Sequence, residues 1–276
     1  MSISGTGVQN DPYIVTTYAE LVEKAATANT FVKLGNDINI LNEYTANVPK
    51  LEVSANIDGD GHTILNLFNT NSSDNYMIRI NPGGLIENVS FLNLNITANS
   101  FIFSRTSAQY GVSVKDCNFA GIVNCSYFTS RNGDNHMGAF DGCSVNIKGE
   151  NLVFSSDYTT NTHSNNYIKI KTNAANIFNI SANNRIITLA NCYLDITAPN
   201  ITGLINKDTL KLQNCAVDLK TNAAPSIAGN DTSVSIINRD HAPNVTVSSN
   251  LAAVPDNKWL DLEHLDSIGF NVVTEG

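Results

Sequence analysis

Apolar and polar residues alternate along most of this chain in short runs, and the runs return around one recurring phrase. It reads Leu85-Ile86-Glu87-Asn88-Val89-Ser90-Phe91, then Val112-Ser113-Val114-Lys115-Asp116-Cys117-Asn118-Phe119, then Ile187-Thr188-Leu189-Ala190-Asn191-Cys192-Tyr193-Leu194, then Leu210-Lys211-Leu212-Gln213-Asn214-Cys215-Ala216-Val217. Each copy is an alternating run, an Asn or Asp followed by a small apolar residue, and a second alternating run, which predicts strand, tight corner and strand. Asn and Asp tolerate the left-handed backbone conformation that a sharp bend requires. A sheet that turns corners and repeats them is a solenoid. Asp116 lies 28 residues beyond Asn88 and Asn214 lies 23 beyond Asn191, within the range of about 20 to 50 residues expected of stacked repeats. Between Asp116 and Asn191 the candidate copies are Gly149-Glu150-Asn151-Leu152-Val153-Phe154 and Ala175-Asn176-Ile177-Phe178-Asn179-Ile180, with loops of unequal length inserted.

The two ends are patterned differently. Residues 5–16 read as a glycine-rich turn and a first short strand. Thr17 then stands at an N-cap position with Glu20 three residues on, and Leu21, Val22 and Ala25 predict an amphipathic helix to about Ala28. Strands follow at Phe31–Leu34, Ile38–Ile40 and Leu51–Val53, and a glycine-rich corner lies within Asn56–Ile64. Near the C-terminus, Leu262, Leu265 and Ile268 have helical spacing, with Gly269 as the stop and Trp259 and Phe270 available to pack on the last coil. Nothing in between reads as a linker. The expectation is one domain over 1–276: a strand and cap helix in 1–30, coils in 31–250 and a second cap in 251–276, since a one-dimensional stack grows in length and each coil contacts only its neighbours.

Composition sharpens this picture. Charged residues make up only 15% of the chain, and 41 Asn supply the missing polarity. Asn is disfavoured in helices and depleted in strands, so the excess belongs to corners, where identical amides stacked in register can bond along the axis. A net charge of −9 argues against nucleic acid and anionic membranes as partners. Five Cys, at 117, 125, 143, 192 and 215, include no CxxC pair. Cys117, Cys192 and Cys215 follow the corner residue directly and are expected to be buried thiols. Met1-Ser2-Ile3-Ser4-Gly5 lacks the basic and apolar stretches of a secretion signal, so export is not expected, and no segment has the length and hydropathy of a membrane span.

The Gly-rich opening through Asp11-Pro12-Tyr13-Ile14-Val15, the following helix, the Leu34-Gly35-Asn36-Asp37-Ile38 segment and the corner Ile57-Asp58-Gly59-Asp60-Gly61-His62-Thr63-Ile64 together resemble the start of right-handed parallel β-helices of the pectate-lyase-like superfamily. The Asn-Cys corners at 191–192 and 214–215 resemble that superfamily's stacked turns. With its closing Leu265-Asp266-Ser267-Ile268-Gly269-Phe270, the chain is similar to the β-helical virion proteins of tailed bacteriophages. The resemblance implies an all-β, single-stranded right-handed parallel β-helix with short N- and C-terminal capping helices.

Enzymes of that superfamily attack acidic polysaccharides, and the hydrolytic members use clustered Asp residues that include an adjacent pair. The physical need is two carboxylates across the scissile bond. This chain has no Asp-Asp and no Gly-His-Gly; Tyr167-Ile168-Lys169-Ile170-Lys171 echoes only the basic element. A calcium-dependent lyase would need several converging acids. Asp58 and Asp60 are the closest pair, and they read as turn residues. The polar loop Arg131-Asn132-Gly133-Asp134-Asn135-His136 brings a cation, an acid and an imidazole together without a second carboxylate. Arg131, Asp134 and His136, with Tyr158 and Tyr167, are therefore candidate contacts to a glycan or partner and not catalytic groups. No cofactor or metal site is predicted. The expected function is a non-enzymatic virion component, an auxiliary capsid protein or head fibre or part of the tail. Its expected partners are other virion proteins, a second copy of itself and a host surface glycan. The rival expectation is a carbohydrate-binding or depolymerising β-helix.

Overall fold

The computed structural model describes residues 3–104, 112–131, 139–157, 161–180, 186–205, 209–213, 215–222, 226–227, 234–237 and 246–247. The alternating runs form an all-β solenoid with three faces. On the first, Tyr13–Val15, Phe31–Leu34, Asn56–Asp58, Leu85–Glu87, Val112–Lys115, Ala139–Asp141, Asn161–Ser164, Ile186–Ala190 and Thr209–Gln213 stack in chain order as one nine-stranded parallel sheet. The second face includes Thr63–Leu65, Ser144–Lys148, Tyr167–Lys171, Tyr193–Thr197 and Cys215–Lys220; the third includes Leu51–Val53, Tyr76–Ile80, Val153–Asp157 and Asn176–Ile180. Two long strands, Ser90–Ser104 and Asn118–Arg131, run from the second face onto the third, so Ser90 pairs with Thr63 and Ser100 with Tyr76. Register partners on successive coils lie 19 to 29 residues apart, as Tyr13↔Val32 and Ile57↔Ile86 illustrate.

From Asn88 to Asn191 the corner between the first and second faces has one residue per coil in the left-handed region, Asn88, Asp116, Gly142, Asn165 and Asn191, with φ from 49 to 66°, while the coil before them uses two, Asp60 and Gly61. Because every coil bends the same way, the backbone ladder passes through the bend intact. Asn88 N–H donates to Lys115 O at 3.1 Å, Asp116 to Asp141 O at 2.9 Å, Gly142 to Ser164 O at 3.1 Å and Asn165 to Ala190 O at 2.9 Å. Side chains add a second ladder outside it. Asn191 Nδ2 donates to Asn165 Oδ1 at 3.2 Å, and Asn165 Nδ2 donates to Asp141 Oδ1 at 2.8 Å. A parallel file at the far end of the second face joins Asn39, Asn66 and Asn93 in the same manner.

Two expected repeats are displaced. Gly149–Phe154 and Ala175–Ile180 run into strands of the third face, and the true corners of those coils are Gly142-Cys143 and Asn165-Asn166. Glycine does the conformational work of Asn at 142, and a buried amide replaces the small apolar residue at 166, so neither corner matches the phrase in its commonest form.

The helix spans Tyr18–Ala25, three residues shorter than expected, and carries the predicted capping box between Thr17 and Glu20. Backbone N–H groups of Thr16 and Thr17 hold the Glu20 carboxyl below its usual range. Glu43 adds a second anion at this helix start, accepting from Tyr18 N at 2.6 Å and Ala19 N at 3.0 Å. Tyr18, Leu21 and Ala25 are buried, and the helix packs on Tyr13–Val15, Phe31–Leu34 and Leu51–Val53. The helix expected around Leu262–Ile268 lies outside the described residues.

Inside, buried residues from Val15 to Leu219 form one cluster. Its middle is aromatic. Phe91 and Phe119 stack at 5.2 Å and 3°, Phe128 and Phe154 at 5.5 Å and 17°, and Phe101, Phe140 and Phe178 fill between them. His163 occupies this file, fully buried at 5.8 Å from Phe140 and 6.1 Å from Phe154. Its Nδ1 accepts from Phe140 N–H at 3.2 Å, which leaves the proton on Nε2, an atom with no partner among the described residues. Burial pushes this imidazole from 6.5 down to about 4.

Two stability measurements test these features. Asn165→Ala loses two amide bonds and places a Cβ-bearing residue without Asn's local compensation in the left-handed region, and should cost about 1–3 kcal/mol in urea unfolding. Asn165→Gly keeps the bend and should cost less; equal losses would mean that the left-handed corner is not the constraint. For His163 the unfolded chain takes up the proton first, so its stabilising contribution is complete above pH 6.5 and declines as pH falls toward about 4. His163→Gln should flatten the stability–pH curve across that window, by up to about 3 kcal/mol relative to wild type.

Candidate functional site

Of the residues singled out in the sequence, Arg131 closes the strand Asn118–Arg131, in register with Ser104. Its side chain, Asp134, His136 and Tyr158 lie outside the described residues. Tyr167 opens the strand Tyr167–Lys171, only 4% exposed, with its ring 5.3 Å from that of Tyr193 in the next coil. Its aromatic surface is thus turned to a second tyrosine inside the protein, not to a solvent rim.

The first corner carries an outward hollow of about 400 Å³ lined by Asp60, Gly61, Asn88, Ser90, Asp116 and Asn118. Its position follows from the repeat, because each coil delivers a polar corner residue and the first polar residue of the second-face strand to the same line. The acids here are engaged. Asp58 Oδ1 accepts from Asp60 N at 2.9 Å and from Asn88 Nδ2 at 3.0 Å, which makes it the turn residue that its sequence suggests. Asp60 pairs with Lys33 at 2.9 Å and raises that lysine's pKa, and Asp116 stands 3.6 Å from Lys115. Asn118 Nδ2 donates to Ser90 Oγ at 2.9 Å. Among the described residues no group of three or more His, Cys, Asp or Glu is arranged to hold a metal ion, and two carboxylates alone fall short of the six or more oxygens calcium prefers.

Carboxylates elsewhere follow the same rule. Asp37 Oδ1 accepts from Thr63 N at 2.8 Å and lies 3.3 Å from His62 Nδ1. Asp141 Oδ1 accepts from Ser164 Oγ at 2.7 Å as well as from Asn165. Glu52 pairs with Arg79 and accepts from the Tyr76 hydroxyl at 2.6 Å. Asp74 pairs with Lys50 at 2.7 Å and is held below the usual carboxylate range by that bond and by Asn69. These contacts join residues on different coils or fix a loop to a coil.

The inward slot after the corner holds Val89, Cys117, Cys143, Asn166, Cys192 and Cys215, each at most 1% exposed. Cys143 belongs to this file although its corner uses glycine. Thiols here donate to main-chain carbonyls: Cys117 to Lys115 O at 3.1 Å, Cys143 to Asp141 O at 3.4 Å, Cys192 to Ala190 O at 3.3 Å and Cys215 to Leu189 O at 3.2 Å. Asn166 is satisfied on both sides, accepting from Cys143 N at 2.9 Å and donating to Phe140 O at 3.0 Å. Burial pushes Cys125 up to about 12, and burial with an adjacent thiol pushes Cys143 and Cys192 well up. A thiol held neutral and out of solvent is a packing group and a poor nucleophile.

No protein-family model matches this chain, and no curated protein matches it in sequence. Its structure is similar to the crystal structure of a "putative immunoglobulin A1 protease" from Bacteroides ovatus, with a TM-score of 0.59 and 13% identity over 99% of this chain and 92% of that one. At this identity the likeness concerns the fold alone.

The thiol arrangement predicts a labelling pattern. Cys117, Cys143, Cys192 and Cys215 should resist an aromatic disulfide reagent at pH 8 in the native protein, and all five cysteines should react after denaturation. Rapid native labelling of the four would remove them from the interior.

Proposed function

We propose that this chain is a non-catalytic structural component of a tailed-bacteriophage particle, an auxiliary capsid protein or a part of the tail. It is built as a right-handed, pectate-lyase-like β-helix. The observation that carries the non-catalytic reading is the use of the described carboxylates: Asp58, Asp74, Asp141, Glu43 and Glu52 each bind groups of the solenoid itself. Hydrolysis of a glycosidic bond instead needs two carboxyl groups facing a substrate across several ångströms. The hand follows the strong preference of parallel crossover connections for the right-handed sense. The helix Tyr18–Ala25 covers one end of the stack, so that neither the core cross-section nor the strand edges stay open there. The net charge of −9 suits a protein that assembles with other virion proteins, or with itself, without adhering to nucleic acid or membrane.

Mass spectrometry of purified particles from the source strain tests the assignment, with the chain expected at fixed stoichiometry. Its absence from such particles would overturn the virion role. Incubation with bacterial capsular and cell-wall polysaccharides, read by reducing-end and unsaturated-uronate assays, should give no cleavage. Saturable cleavage there, or cleavage of immunoglobulin A1, would replace the scaffold with an enzyme.

A further inference from the structure

The bend between the second and third faces brings like charges together. Lys24, Lys33, Lys50, Arg79, Lys115 and Lys220 each have a carboxylate partner. Lys148 and Lys171 form no ion pair among the described residues, although both are exposed and stand in register on neighbouring coils. Neighbouring strands lie about 4.8 Å apart, so the two stems rise side by side. Like charges placed directly opposite each other destabilise a sheet. Both lysines line a hollow of about 290 Å³ with Asn124 and Asn173 at its polar edge and Ile122, 37% exposed, as an apolar surface. Glu150 lines the same hollow and also forms no ion pair among the described residues. Opposite charges in one hollow are thus kept apart, and the lysines outnumber the acid by one.

We propose that this hollow binds a small oxyanion, a phosphate, sulfate or carboxylate group of a ligand, between the Lys148 and Lys171 ammonium groups. An anion there turns the repulsion between the two lysines into two attractions. Glu150 disfavours a second negative charge and favours a hydroxyl or amine next to the bound group, and Ile122 accommodates an apolar ring or chain edge. The site is independent of whether the protein belongs to a phage particle.

The test uses the full chain, isotopically labelled, titrated with inorganic phosphate, sulfate and acetate at ionic strength held constant with chloride. Amide signals of Gly149 and Asn173 should shift saturably at millimolar concentration for at least one of the three, and the ranking identifies the oxyanion class. Lys148→Gln/Lys171→Gln should weaken that binding at least tenfold while keeping the spectrum of a folded protein. Glu150→Gln should tighten it, and Lys33→Gln, remote from the hollow, should leave it unchanged. Linear shifts without saturation for all three ions, or a double variant that binds like wild type, would overturn the site.

Discussion

The structure depends on a backbone bend that lets a parallel hydrogen-bond ladder continue around a corner. From Asn88 to Asn191 one left-handed residue per coil turns the chain, and since the turn repeats there, the N–H groups at the bend still find carbonyls of the next coil. A corner made of ordinary residues would either straighten into a longer strand or leave peptide groups unbonded at a partly buried site, at a cost of about 1–3 kcal/mol per lost group. Asn suits this position because its side chain repeats outside the chain what the peptide does within it. The Asn-rich composition is the sum of those local solutions.

Register, once fixed at the corner, decides the interior. From Val89 to Cys215 the residue after the bend is buried, so a file of mostly small side chains forms there, and cysteine fits it as a compact apolar group able to donate to a main-chain carbonyl. Across the coil the same alignment stacks phenylalanines, whose large apolar area dominates burial in the middle of the solenoid. Polar residues enter these files where a partner is at hand. Asn166 is satisfied by Cys143 and Phe140, whereas His163 uses one ring nitrogen and leaves the other unpaired among the described residues. That imidazole is accordingly held neutral, which places an acid-sensitive group within the aromatic core.

The exterior obeys an electrostatic version of the same constraint. Stacking brings side chains of equivalent coil positions within a few ångströms, which favours charges that alternate, pair or bond to amides. Lys33 beside Asp58, and Lys115 between Glu87 and Asp141, alternate in this way on the first face, whereas Asp58 and Glu87 stand directly opposite each other. Acids occupied in this way hold coils together. Like charges also meet, Asp58 against Glu87 on the first face and Lys148 against Lys171 on the second, and it is the two lysines that line a hollow together.

Much of this was determined by the sequence alone. The two-residue alternation, the Asn/Asp corners at 88, 116 and 191, the Thr17–Glu20 capping box and the burial of Cys117, Cys192 and Cys215 all follow from local backbone preference and apolar pattern, and all stand in the structure. Between Asp116 and Asn191 the pattern misplaced two repeats, because glycine at 142 and an amide at 166 meet the same backbone requirement without spelling the same phrase. Tertiary structure alone decided that Cys143 joins the thiol file, that His163 enters the aromatic core, that Tyr167 faces Tyr193 and that Lys148 meets Lys171. Each depends on inter-coil register, set by loop lengths that vary from coil to coil; local propensity carries no information about which residue will stand 23 or 26 positions away.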